Sequence, residues 1–83
     1  PITVTSVNYV VVGATGATVA FTLGWNASRT GVQTLIYGAT GTLTGTSVTS
    51  GLTNTAITAG SWVWLQTSAT SSLAYELNVS IGT

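Results

Sequence analysis

The chain contains 83 residues, enough for one small domain with a modest hydrophobic core. It has no cysteine and no histidine, and its two charged side chains are those of Arg29 and Glu76. This composition excludes disulfide bonds and thiolate metal sites, and a net charge of zero gives no electrostatic footprint for nucleic acid. The charged fraction of 2% is far below the roughly 25% of an ordinary soluble domain. We therefore expect much of the surface to be covered by other molecules.

The first part of the chain is predicted to form two strands. Residues 1–12 are β-branched almost throughout, which favours a pleated strand, and the alternation breaks near Ser6 and Val7, where we expect a bend. Residues 13–16 are predicted to form a turn. Residues 17–25 then alternate cleanly, which predicts a strand with one apolar face. That face comprises Ala17, Val19, Phe21, Leu23 and Trp25.

The middle of the chain is more polar and predicts shorter elements. Residues 26–31 form the most polar loop and carry Arg29, the only cation among the side chains. Residues 32–37 are predicted to form a short strand, which a glycine-containing turn at residues 38–41 should close. Residues 42–50 predict one or two weak, exposed strands, and residues 51–54 a turn. A brief strand is then expected around Ile57.

Two strongly patterned stretches complete the chain. Residues 62–65 are apolar at every position, which is typical of a strand with both faces buried. Residues 73–81 carry a large apolar side chain at every odd position. A short polar link separates the two stretches, so we expect a C-terminal β-hairpin at about residues 61–81. About seven short antiparallel strands predict a single β-sandwich over residues 1–83, jelly-roll-like or immunoglobulin-like.

The polar residues predict no catalytic, metal or cofactor site. Glu76 is a lone carboxylate, so it cannot supply the acid and base pair of glycoside hydrolysis, and no histidine is present for it to orient. An ion pair with Arg29, of the same or a neighbouring subunit, or a hydrogen bond from backbone donors is the simpler interpretation. Arg29 either contacts a ligand from its loop or is a solvated charge. We therefore expect a protein that is not an enzyme.

The aromatic side chains are the remaining candidates for a binding surface. Trp62 and Trp64 should point to one side of their strand, with Val63 and Leu65 on the other, and a small domain cannot easily bury both pairs. We therefore expect one pair in the domain core and the other against a second chain. The candidate residues for a subunit interface are Trp62, Trp64, Trp25, Tyr75, Arg29 and Glu76. The alternative is that these aromatics form a stacking platform for a host-surface glycan.

The C-terminal sequence also resembles a known pattern. Residues 57–65 (Ile-Thr-Ala-Gly-Ser-Trp-Val-Trp-Leu) and 75–81 (Tyr-Glu-Leu-Asn-Val-Ser-Ile) resemble the end of many small β-rich structural proteins of tailed bacteriophages. Those proteins carry an I-x-A-G-S-W-V-W-L strand and then an E-L-x-V-x-I strand. Thr58 stands where the pattern often has proline, and Asn78 where it often has histidine.

The resemblance implies a head decoration or cement protein, or a knob or fibre component, because those are the roles of such phage proteins. They are commonly trimeric, so it further implies a homotrimer that contacts other virion proteins of the capsid or tail. The protein would then be located in the virion after assembly in the host cytoplasm. Separately, no run approaches 18 apolar residues, so we expect no insertion into a membrane.

Overall fold

In the computed structural model, which describes residues 1–83, the chain forms eight β-strands and no helix. The strands are β1 (Ile2–Thr3), β2 (Ser6–Gly13), β3 (Val19–Asn26), β4 (Thr34–Gly41), β5 (Thr46–Val48), β6 (Ala56–Ile57), β7 (Trp62–Thr70) and β8 (Ala74–Gly82). Two antiparallel sheets, β5–β2–β8 and β4–β3–β7, form a small β-sandwich, and β1 pairs with β6. The predicted all-β fold is confirmed. Because the chain has no helix, it has no apolar helical segment that could span a bilayer.

The core lies between the two central strands. The inward face of β3 contributes the alternating residues predicted from the sequence, and the inward face of β2 contributes the opposing layer. Tyr9 of β2 and Phe21 of β3 meet edge to face with ring centroids 5.1 Å apart. The largest fully enclosed side chains are Phe21, Leu23, Ile36, Val7 and Val11.

The first predicted strand is divided, as expected, but two residues earlier than the alternation suggested. Val4 and Thr5 separate β1 from β2. The backbone N–H of Val4 donates to the carbonyl of Thr55, and that of Thr5 donates to the carbonyl of Gly82. The side chain of Val4 is 3% exposed, so the break turns an apolar residue into the core at the end of the sandwich.

The glycine-containing stretch at residues 38–41 is a continuation of β4, and the predicted turn there is wrong. Gly41 lies on the inward face, where an added Cβ would come within 3.0 Å of the Val11 side chain. This glycine therefore makes room for the core. The short strand predicted at residues 32–37 is therefore longer than expected, since β4 begins at Thr34 and ends at Gly41. The predictions for residues 42–50 and for Ile57 hold, since β5 is short and exposed and β6 contains Ile57.

The predicted C-terminal hairpin is wrong in its pairing, although both strands exist. β7 pairs with β3, placing Leu65 opposite Leu23, whereas β8 pairs with β2, placing Val79 opposite Tyr9. Residues 71–73 carry the chain from one sheet to the other. They are fixed against the β2–β3 connection, because the Ser71 N–H donates to the Thr18 carbonyl. Pairing with the two central strands thus replaces pairing between β7 and β8.

Both C-terminal strands are edge strands on the same side of the sandwich. Each occupies the end of its three-stranded sheet, and the link between them is short. The prediction that residues 62–65 are buried on both faces is therefore wrong for the single chain. Every residue of β7 is exposed except Trp64, which is half-buried.

Candidate interaction surface

The space between the two sheets is open along β7 and β8. Register with the central strands shows that both edge strands turn apolar side chains toward this space. On β7 these are Val63, opposite Trp25, and Leu65, opposite Leu23. On β8 they are Leu77, Val79 and Ile81, opposite Val11, Tyr9 and Val7. We call these five residues the open side.

The open side is apolar but incompletely covered. Val63 is 41% exposed, Leu65 38% and Ile81 39%, although all three face the interior. Leu23, opposite Leu65, is 1% exposed and Val7, opposite Ile81, is 0% exposed, whereas Trp25, opposite Val63, is half-buried. Leu77 and Val79 pack against the core and are half-buried. The core is thus fully buried at the centre of the sandwich and partly exposed to solvent at this edge.

The two tryptophans of β7 lie on the outward face of the β4–β3–β7 sheet. Trp64 is opposite Gly24, and Trp62 is opposite Asn26 and 57% exposed. The side chain of Gln33 crosses the sheet over Gly24, where an added Cβ would collide with it. Gln33 Nε2 donates to the Trp64 carbonyl oxygen at 2.7 Å, and its Oε1 accepts a hydrogen bond from the Thr22 hydroxyl at 2.7 Å.

Arg29 is placed on this same outward face by its loop. The Arg29 guanidinium carbon lies 4.8 Å from the ring centroid of Trp64, a cation–π contact. Asn26 fixes the loop, because its Nδ2 donates to the Val32 carbonyl and its Oδ1 accepts from the Ser28 N–H. Arg29 therefore shields part of Trp64, and Trp62 remains the freely exposed indole.

Glu76 does not pair with Arg29 within the chain. It lies on β8, in the opposite sheet, where its Oε1 accepts a hydrogen bond from Asn78 Nδ2 at 2.7 Å. The expected intrachain ion pair is therefore wrong. The expected backbone hydrogen bond is replaced by this bond from a side-chain amide.

The remaining aromatic candidates lie elsewhere. Trp25 is half-buried against the core, and its Nε1 donates to the Asn54 carbonyl oxygen at 2.8 Å. Tyr75 is 76% exposed at an irregularity of β8, where the register skips it between Glu76 and Ala74. Of the six residues predicted from the sequence, the structure brings together Trp62, Trp64 and Arg29.

Sequence reasoning missed two contributions to this surface. Gln33 bridges β3 and β7, but a single glutamine after a polar loop carries no recognisable pattern. The alternation of residues 73–81 predicts the apolar row of β8 but not the exposure of Ile81 at its end. Its exposure depends on which strands neighbour it, and alternation does not report that.

Two shallow depressions lie on the outward faces. One, of about 390 Å³, is lined by Arg29, Trp64 and Gln66 among others. The other, of about 570 Å³, crosses the β5–β2–β8 sheet and includes Asn8, Asn78 and Ser80. The larger depression has no tryptophan and no charged residue in its lining. Neither depression brings a nucleophile together with a base.

Comparisons with known proteins add no relative, since no family model, no curated protein and no solved structure matches this chain. A functional proposal therefore rests on the geometry described above and on the resemblance of the C-terminal sequence pattern.

Proposed function

We propose that this chain is a non-enzymatic structural protein that assembles with copies of itself, as a trimer, in a bacteriophage virion. Within the virion its role is head decoration or cement, or a knob or fibre component, and its other partners are capsid or tail proteins. The observation that carries self-assembly is the open side. Apolar residues that face the interior of the sandwich stay partly exposed along two neighbouring edge strands.

Covering the open side would stabilise an assembly. Burial of apolar surface contributes about 25 cal/mol per Å² before the costs of association are subtracted. Over residues 62–67 of β7 and 77–82 of β8, the edges carry no charge, no proline and no irregularity of register, which are devices by which monomeric proteins protect exposed strands. A surface of this kind is better explained by a permanent neighbour than by contact with water.

The virion assignment and the trimer are supported by the sequence pattern. Residues 57–65 and 75–81, which resemble the phage proteins, include the start of β7 and most of β8. The resembling segments therefore coincide with the strands that form the open side. This proposal places the protein in the virion after assembly in the host cytoplasm.

Native mass in solution tests the proposal. Multi-angle light scattering or native mass spectrometry of the purified chain at micromolar concentration should give three times the chain mass. A stable monomer at that concentration would overturn self-assembly, and a different closed oligomer would overturn the trimer.

A glycan-binding module is the second candidate, and the exposure of Trp62 favours it. Its indole is 57% exposed, and Trp64, the next outward residue of β7, lines a depression together with Arg29 and Gln66, which can both donate hydrogen bonds to sugar hydroxyls. A monomeric native mass would favour glycan binding over self-assembly.

A further inference from the structure

We propose that neighbouring copies join by antiparallel pairing of β7 of one chain with β8 of the next, which makes each sheet continuous across the subunit boundary. This inference rests on the proposed self-assembly and specifies its geometry. The occupant of the open side is therefore a second copy of this chain, and the extended sheet has the order β4–β3–β7–β8–β2–β5, with the last three strands from the second copy.

Strand direction permits this pairing. β7 and β8 follow one another through a short corner and run in opposite directions on one side of the sandwich. Rotation about an axis parallel to the strands preserves those directions. Such a rotation brings β7 of one copy beside β8 of another in antiparallel orientation, which requires no rearrangement of either chain.

The inward apolar rows fix the register. When Leu65 lies opposite Val79 of the second copy, Val63 lies opposite Ile81, and the two rows share the inner face. In this register residues 62–67 pair with residues 77–82, two ranges of equal length. The irregular positions, Ser68 of β7 and Tyr75 of β8, both fall beyond the regular part.

Charge does not oppose this interface. β7 is uncharged, and the one charge of β8, Glu76, would lie beside Ser68 of the second copy at the outer face. Pairing also satisfies the free backbone donors and acceptors of both edges. With three copies, the open sides converge on the threefold axis and form a shared apolar core.

Engineered disulfides test the register, because the chain contains no cysteine of its own. Gln66 and Asn78 are exposed, lie on outward faces and would be directly opposite each other across the proposed boundary. Opposite residues in an antiparallel pair have Cα atoms roughly 4.5–5.5 Å apart, within disulfide range. Within one chain the two side chains point outward from opposite sheets, so a disulfide must join two copies.

After oxidation, the double variant Gln66→Cys/Asn78→Cys should run as a covalent trimer on a denaturing gel without reductant, and either single variant as a monomer. The matched control is Gln66→Cys/Thr40→Cys, because Thr40 is an exposed residue of the other edge strand, β4. This control should give no covalent trimer.

The outcomes separate this inference from the proposed function. A trimeric native mass without disulfides in the Gln66/Asn78 variant overturns the β7–β8 pairing and leaves self-assembly standing. Covalent dimers of Gln66→Cys alone would show β7–β7 pairing and overturn the inference as well. If the reduced double variant is not trimeric, Trp64→Cys/Ser80→Cys tests the same register at the next outward position. A trimer of this second variant that forms no disulfide would also overturn the β7–β8 pairing.

Discussion

At the scale of single residues, the pKa of Tyr37 is changed by its neighbours in the core. Its ring lies on the inward face of β4 with its centroid 6.1 Å from that of Tyr9. The neighbouring Tyr9 phenol raises the pKa of Tyr37 above its ordinary value of 10.0, and burial raises it further. Both causes favour the neutral phenol in the folded state.

The raised pKa of Tyr37 predicts a loss of stability at alkaline pH. The unfolded chain releases this proton near pH 10.0, and the folded chain releases it only at higher pH. The contribution is therefore fully present below pH 10 and is lost as pH rises through the folded-state pKa. Urea unfolding at pH values on either side of 10 should show this decline, and Tyr37→Phe should reduce it. Tyr75→Phe removes an exposed phenol and should keep the decline, so equal effects of the two variants would contradict this explanation.

At the scale of elements, two of the connections that cross between the sheets, β2–β3 and β7–β8, depend on each other. Gly13 ends β2 where the β7–β8 corner passes, and the Ala14 N–H donates to the Leu73 carbonyl at 3.0 Å. A Cβ at Gly13 would fall onto that same carbonyl oxygen and within 2.9 Å of the Ala17 Cβ. The close approach of two backbone segments therefore requires glycine at this position.

Gly13→Ala should lower the free energy of unfolding by about 1–3 kcal/mol, because neither the Leu73 backbone nor the buried Ala17 can move without disturbing the corner. The matched control is Gly45→Ala, where an added Cβ meets nothing within 4 Å. That variant should stay within about 0.5 kcal/mol of the parent chain. Chemical denaturation followed by tryptophan fluorescence measures both, and a neutral Gly13→Ala would show that the corner is not tightly packed.

Strand positions could be predicted from the sequence, whereas strand partners could not. The alternation of residues 17–25 predicted β3 and its buried face, because side-chain period depends on local backbone geometry. The link between β7 and β8 suits a hairpin and a sheet-crossing corner equally well, and the choice depends on the distant strands β2 and β3. The turn predicted at Gly41 is wrong for the same reason, because the need for a small residue there comes from Val11 across the core.

The candidate surface was predictable to a similar extent. Trp62 and Trp64 were expected to share one face, and they lie together on the outward face because side-chain direction alternates along a strand. Contact of Arg29 with Trp64 depends on the conformation of the loop that Asn26 fixes, and composition does not encode it. The exposure of Val63 and Leu65 could not be predicted, because it results from the edge position of β7.

At the scale of the whole molecule, the proposed assembly would explain both the incomplete core and the scarcity of charge. The sandwich is thin, with principal extents of 39 × 27 × 16 Å, and has few fully buried residues besides those of β2 and β3. A small domain without disulfides gains stability from oligomerisation. In the proposed trimer the open side supplies further buried apolar surface, so folding and assembly should support each other.

A charge on the inward row of β7 should separate assembly from folding. Leu65→Lys keeps an aliphatic stem along the core, and its ammonium group can reach water in the single chain because the position is 38% exposed. In a trimer three such groups would meet near the axis without partners, at a cost of several kcal/mol each. Light scattering should therefore show a folded monomer at concentrations where the parent chain is trimeric. Gln66→Lys places the same charge on the exposed outward face of the same strand and should remain trimeric. A trimer in both variants would show that Leu65 is not at the interface, and a monomer in both would show that net charge, and not the inward face, controls assembly.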